Sequence, residues 1–155
     1  MEIKLYSAIH KQDCLRVFDS NLDKYFAPHE REQFVEFLDS VAQADDNQYY
    51  VALQDGQLVG CGGLRLYQDT VYLSWGMLAR TKHKTGLGEQ LLRHRLEQAT
   101  RLHPGKEIVI ETSQHTQGFF ARYGFAIEKS ETNGFGEGID KVTMRLNDQM
   151  HSPPK

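Results

Sequence analysis

Cysteine, proline and positive charge are all scarce in this 155-residue chain, and each shortage excludes a class of protein. The two cysteines, Cys14 and Cys61, form no paired or clustered spacing. Neither a disulfide framework nor a metal site is expected. Four prolines leave no proline-rich linker, and two of them fall within Gln149 to Lys155, a segment with little apolar surface. That segment is expected to be a flexible C-terminal tail, residues 149–155, following one domain over 1–148. Lys and Arg number 18 against 21 Asp and Glu, a net charge of −3, so no global basic field recruits nucleic acid. No apolar run approaches the roughly 20 residues of a membrane span. The opening Met1-Glu2-Ile3-Lys4 lacks the pattern of a signal peptide. The expectation is a cytoplasmic protein with neither a nucleic-acid nor a membrane partner. Two nucleotide motifs are missing as well. There is no Gly-x4-Gly-Lys-Ser/Thr run, and after Gly86 and Gly88 the third position of a dinucleotide fingerprint is Leu91.

What remains is an ordinary globular composition, 39% hydrophobic and 25% charged, in a chain long enough to bury a core. The pattern predicts a strand over Ile3–Ala8, a helix over His10–Phe18 and a loop over Asn21–Ala27. A second helix follows, with Pro28 in its first turn, an apolar stripe of Phe34, Phe37, Leu38, Val41 and Ala42, and an end at Asp45-Asp46-Asn47. Tyr49–Leu53 and Leu58–Tyr67 read as strands around an Asp55-Gly56 hairpin turn. Thr70–Leu78 is the next strand. A helix opening at Gly86 runs to the break at His103-Pro104-Gly105. Ile108–Ile110 is a short buried strand and Thr116–Tyr123 a short helix. Phe125–Lys129 and Val142–Leu146 close the chain as strands. The order β-α-α-β-β-β-α-β-α-β-β predicts an α/β (α+β) domain with a mixed sheet and helices on both faces.

The richest stretch is Leu73 to Leu92. It reads as an apolar strand, a cationic loop with Arg80, Lys82 and Lys84, a Gly-x-Gly at Gly86 and Gly88, and an amphipathic helix. The helix buries Leu87, Leu91, Leu92, Leu96, Ala99 and Leu102, and Glu89, Arg93, Arg95 and Glu97 are expected on the wet face. Such a helix N-terminus offers unpaired N–H groups and a positive dipole end to an anion. Glycine lets backbone approach that anion closely. A tight strand-to-helix turn would explain the glycines equally well, since Gly60-Cys61-Gly62 and Gly134-Phe135-Gly136 share the spacing.

Three segments in order resemble the GNAT-type N-acetyltransferases: His83-Lys84-Thr85-Gly86-Leu87-Gly88, Phe119-Phe120-Ala121-Arg122-Tyr123-Gly124-Phe125, and the hairpin Asp55-Gly56-Gln57-Leu58-Val59-Gly60. The resemblance covers roughly Ile3 to Leu146. It implies a single domain with a central sheet of about seven strands and about four helices, splayed between the fourth and fifth strands. It implies acetyl-CoA as acyl donor and no metal. Met77, Leu78 and Ala79 would lie along the pantetheine arm, and the amides of Lys84, Thr85, Gly86, Leu87, Gly88 and Glu89 around the pyrophosphate. A bulge in the fourth strand would free N–H groups, one of them for the thioester oxygen. His83 stands where the family carries Arg or Gln. Phe120 stands beside the cofactor where many members carry a tyrosine that protonates the departing sulfur. A thiol has a pKa of about 8.5, so the thiolate leaves tolerably without that acid.

The position where some members place a glutamate base is Tyr72 here. Glu111 and His115, after the fifth strand, are further candidates to deprotonate the acceptor. Ser113 equally suits a helix cap, and His115 an exposed first-turn residue. The acceptor side is expected from the first two helices and their loop, with Asn21 as a polar contact and Tyr25 and Phe26 as an apolar wall; Phe18 suits ordinary packing better. The expected activity is transfer of an acetyl group from acetyl-CoA to a primary amine, small molecule or peptide, by direct attack on the thioester. A non-catalytic acyl-CoA-binding or regulatory module is the alternative. The sequence leaves the acceptor's identity open. It also leaves open whether the chain is a monomer or a homodimer.

Overall fold

The computed structural model describes residues 1–41, 43 and 47–147. Ala42, Asp45, Asp46, the boundary at 148 and the expected tail 149–155 lie outside the described residues. Seven strands form one sheet in the order β1-β2-β3-β4-β5-β7-β6. They are β1 (Glu2–Leu5), β2 (Asn47–Gln54), β3 (Gln57–Tyr67), β4 (Thr70–Leu78), β5 (Glu107–Thr112), β6 (Phe125–Gly136) and β7 (Ile139–Leu146). The helices are α1 (Lys11–Ser20), α2 (Glu30–Val41), α3 (Leu87–Leu102) and α4 (Gln117–Ala121). Among the described strands, β4 and β5 pair in parallel and every other neighbouring pair is antiparallel. The expected mixed sheet and element order are therefore those found.

Alternation along the strands sorts side chains onto two faces. Tyr49 and Val51 join α1 and α2 in one core with Phe18, Phe34 and Met77. Tyr50, Leu64, Val71 and Leu73 join α3 in the other, with Ile108, Met144 and Leu92. Phe119 and Phe120 of α4 pack against this second core.

Some boundaries move. β1 ends at Leu5, because Ser7 turns the chain: its N–H donates to His10 Nδ1 at 3.0 Å, and its carbonyl accepts from the His10 N–H at 2.9 Å. α2 begins at Glu30, after a turn that holds Pro28; Glu30 Oε1 accepts from the Ala27 N–H at 3.2 Å. β6 runs seven residues beyond its expected end at Lys129. It is an edge strand exposed along most of its length, so its polar stretch carries no apolar alternation to read.

The placement of Arg95 on the wet face of α3 is corrected. Arg95 is 3% exposed and shares the buried face with Leu91, Leu92 and Ala99. Spacing from Leu91 to Arg95 to Ala99 is one helical stripe, and the side chain follows the spacing rather than its charge.

Two irregularities shape the middle of the sheet. β4 and β5 pair only from Thr70–Glu107 to Leu73–Ile110, and beyond that point they part. Opposite β3, the register slips by one residue between Cys61–Met77 and Gly63–Ser74. The extra residue makes a bulge in β4, where Trp75 has φ of +42°.

Candidate active site

One cleft of about 1220 Å³ follows the gap between β4 and β5 from the loop before α3 to the face covered by α1 and α2. Its walls bring together most of the residues singled out from sequence: Asn21, Tyr25, Phe26, Tyr72, Met77, Leu78, His83, Lys84, Gly86, Gly88, Glu89, Glu111, His115 and Phe120. Five residues expected around the donor are not on the wall: Arg80, which lies over the Tyr25 ring at 5.4 Å from its centre, Lys82, Ala79, Thr85 and Leu87. The Ala79 N–H is paired to the Val59 carbonyl at 2.7 Å. Thr85 turns its hydroxyl to the Lys82 carbonyl at 2.5 Å. Leu87 is buried with Ala52 and Val59 and anchors the first turn of α3 to the sheet.

The loop is built for close approach. Arg80–Lys82 forms a single 3-10 turn, and Lys84 and Gly86 then take positive φ of 62° and 87°. Gly86 is the N-cap of α3, and a Cβ built on it meets nothing within 4 Å. This is an open cradle in front of the unpaired N–H groups of the helix. Glu89 does not point a free carboxylate into it. Its Oε1 accepts from Tyr123 Oη at 2.5 Å and its Oε2 from Arg93 Nε at 3.2 Å. These bonds hold the Glu89 carboxyl below its ordinary pKa and push the Tyr123 phenol up. Phe120 packs edge-on against Phe119 and Phe125, at 5.1 and 5.7 Å between ring centres.

The loop between α1 and α2 crosses above the end of β4. Asn21, 1% exposed, donates from Nδ2 to the carbonyls of Val17 at 2.9 Å and Leu78 at 2.8 Å. Its Oδ1 is buried without a hydrogen-bond partner among the described residues. The Leu78 carbonyl also accepts from His83 Nε2 at 3.2 Å. A carbonyl only accepts, so Nε2 carries the proton and neutral His83 presents Nδ1 as a lone pair. Tyr25 joins the parts of the cleft, meeting His83 edge-on at 4.9 Å and His115 at 6.0 Å. Phe26 stacks on Phe18 at 4.7 Å and lies 6.2 Å from Trp75. Phe18 itself is fully buried, so the packing reading holds for it.

Burial lowers the His83 pKa from 6.5, helped by Arg80, Lys24 and Lys84 and opposed by the Leu78 carbonyl. The native ring is thus harder to protonate than the unfolded one. Its contribution to stability is present above the unfolded pKa and is lost as pH falls through 6.5 toward the folded value. Replacing His83 by glutamine is expected to flatten that part of the stability profile. Urea midpoints at about pH 7.5 and about 5.5 check it: the wild type should lose more stability on acidification than the variant.

The proposed base region is less organised. Glu111 forms an ion pair with Lys141 at 3.1 Å. His115 is exposed, and its backbone N–H donates to Ser113 Oγ at 3.2 Å. Ser113 therefore braces the turn before α4, whose N-cap is Thr116. Tyr72 lies on β4 between Arg65 and Val109, half-buried, with its ring 6.4 Å from Tyr67. Among the wall residues that sequence reasoning did not single out for the site are Glu30, whose carboxyl is pushed up by burial, and Arg95.

Among the described residues no helix is long and apolar enough to cross a membrane, and no cluster of three or more His, Cys, Asp or Glu side chains could hold a metal.

No curated protein matches this chain. Solved structures do. A GNAT-family acetyltransferase from Desulfovibrio desulfuricans is 24% identical, with a TM-score of 0.78 over 94% of this chain and 97% of its own. An aminoglycoside 6'-N-acetyltransferase complexed with coenzyme A is 16% identical, with a TM-score of 0.77 over 100% and 99%. The ribosomal-protein-S18-alanine N-acetyltransferase from Escherichia coli is 14% identical, with a TM-score of 0.75 over 94% and 92%. At these identities the likeness establishes the fold. The model of the acetyltransferase (GNAT) domain matches residues 15–147, and the chain belongs to that family.

Proposed function

We propose that this acetyltransferase moves an acetyl group from acetyl-CoA to a primary amine by direct attack. The observation that carries the reading is the continuity of one cleft from the Gly86 cradle, through the parting of β4 and β5, to the wall of Asn21, Tyr25 and Phe26. The residues present fit the donor. The open space at Gly86 and the first-turn amides of α3 suit a pyrophosphate, and Lys84 on the cleft wall adds positive charge. The walls at Met77, Leu78 and Phe120 suit the apolar stretches of a thin arm whose amides can pair with strand backbone. Acetyl-CoA supplies the acyl group as a thioester; this chain supplies position and proton management.

Direct attack is supported by the cysteines. Cys14 and Cys61 are both 0% exposed, and neither lines the cleft. A hydrogen bond to Cys61 and burial push the Cys14 thiol up, away from nucleophilic thiolate. Asn21 Oδ1, buried and unpartnered, is an acceptor suited to an amine N–H. His115, Glu111 and Tyr72 remain the candidates for taking the amine's proton. No hydrogen bond occupies the His115 ring among the described residues, whereas Glu111 is held by Lys141.

His115→Ala is therefore expected to lower the plateau of kcat/KM about ten-fold or shift its rising limb, and Glu111→Gln to do so less, both with CoA affinity preserved. Unchanged profiles in both variants would leave deprotonation to water or to Tyr72. A small-molecule or peptide amine is the expected acceptor, in the cytoplasm.

The second reading is a non-catalytic acyl-CoA-binding module, favoured by Phe120 and Tyr72 at the positions where the family resemblance implies a tyrosine acid and a glutamate base. Displacement of a fluorescent CoA by CoA, but not by ATP or NAD, tests the donor half common to both readings. Competition by ATP or NAD at similar concentration contradicts both.

A further inference from the structure

The bulge in β4 is gripped from both faces of the sheet. Trp75 holds φ of +42°, a left-handed conformation that bulky residues rarely adopt and that persists when its surroundings fix it. On the α1–α2 side, the buried Tyr49 donates its hydroxyl to the Trp75 carbonyl at 2.7 Å. On the other side, Arg95 of α3 donates from Nε to the Gly63 carbonyl at 3.1 Å and from Nη2 to the Ser74 carbonyl at 3.3 Å. The two consecutive carbonyls of the bulge are thus fixed by two side chains from opposite cores.

Room for the guanidinium is made by glycine. A Cβ on Gly62 would stand 3.2 Å from Arg95 Cζ, and one on Gly76 would stand 2.5 Å from Nη1. Arg95 is 3% exposed yet forms no ion pair among the described residues. A buried charge without a counter-ion is costly, and carbonyl dipoles only partly repay it. An apolar residue on this stripe of α3 would pack without that cost. The arginine also reaches the cleft wall, beside Ser74, Trp75 and Gly76. The peptide whose carbonyl it grips carries the Trp75 N–H at its other end, and a cation on the carbonyl polarises that N–H.

We propose that Arg95, with Tyr49 opposite, is the positioning residue of the acyl-transfer site. It sets the β4 bulge in the shape that faces the donor's acyl group, and it polarises the bulge peptide. The role in turnover rests on the acetyltransferase reading above; the grip on the bulge does not.

Trp75 is the only tryptophan in the chain, so its emission reports on the bulge directly. The test compares wild type, Arg95→Met and Tyr49→Phe. Ligand-free emission spectra, CoA titration and turnover with the best amine are measured on each. Arg95→Met is expected to shift Trp75 emission without ligand and to keep the CoA Kd within about three-fold. Turnover should fall about ten-fold or more. Tyr49→Phe should move the same readouts in the same direction by less. If Arg95→Met fails to fold, Tyr49→Phe decides alone. If no amine supports turnover in the wild type, the emission shift and the CoA titration still decide the grip. Unchanged Trp75 emission overturns the proposal. So does turnover within two-fold of wild type, or a turnover loss matched by lost CoA affinity.

Discussion

A Gly86→Val protein is expected to fold and to bind CoA at least about 30-fold more weakly than wild type. Gly86 sits at φ +87°, a region where a β-branched residue is strained by about 1–3 kcal/mol. The loop relieves that strain by leaving the left-handed conformation. The backbone from Lys84 to Gly88 and the N-terminal amides of α3 are then displaced from their present positions. If the loop holds its shape instead, the valine side chain occupies open space in front of those amides, where a Cβ now meets nothing within 4 Å. Either route removes the cradle. About 2 kcal/mol corresponds to roughly a 30-fold change in Kd. Titration calorimetry on the folded variant reads it, and an unchanged affinity would show that the pyrophosphate lies elsewhere.

Phe34→Ala is expected to carry the largest stability cost, about 3–5 kcal/mol in urea unfolding. Phe34 is 0% exposed and is the centre of an aromatic cluster. Its ring lies 5.0 Å from that of Trp75, 5.6 Å from Phe18, 6.4 Å from Tyr49 and 6.5 Å from Phe37. Removing it leaves a void beneath the bulge and behind Phe26. The surviving folded fraction should show altered Trp75 emission as well. A loss below about 1 kcal/mol would mean that α1 and α2 repack freely against the sheet, and that the acceptor wall is not rigidly supported.

The large features of this fold were legible because they rest on local chemistry. The Asp55-Gly56 turn, the apolar stripe of α3 and the glycine-opened loop each announce themselves within a few residues. The position of the gap between β4 and β5 was legible only through resemblance to a family. No local signal says that pairing stops at Leu73. Arg95 was misplaced because its charge was weighed above its spacing, although it lies four residues from Leu91 and from Ala99. The signal that could have corrected this was present. Gly62 on β3 lies against Gly76 on β4, with Gly60 and Gly63 close by on β3, more glycine than a sheet needs unless something bulky must approach. The long β6 was missed for the opposite reason, since an edge strand in water keeps no alternation. Tyr49 gave no sign of its bond to Trp75, because that contact joins residues that only the sheet brings together.

Acetyl transfer to an amine is the central claim, and free thiol is its direct product. The purified protein, acetyl-CoA and a panel of amines are combined with a thiol-detecting reagent, spanning polyamines, amino acids, aminoglycosides and peptide N-termini. The account predicts amine-dependent thiol release by at least one member of the panel. One acetylated amine should form per thiol, and Gly86→Val should lower the rate at subsaturating acetyl-CoA about 30-fold or more. Tight binding of CoA with no thiol release from any amine would contradict it, and would leave this chain as a binding module built on an acetyltransferase fold.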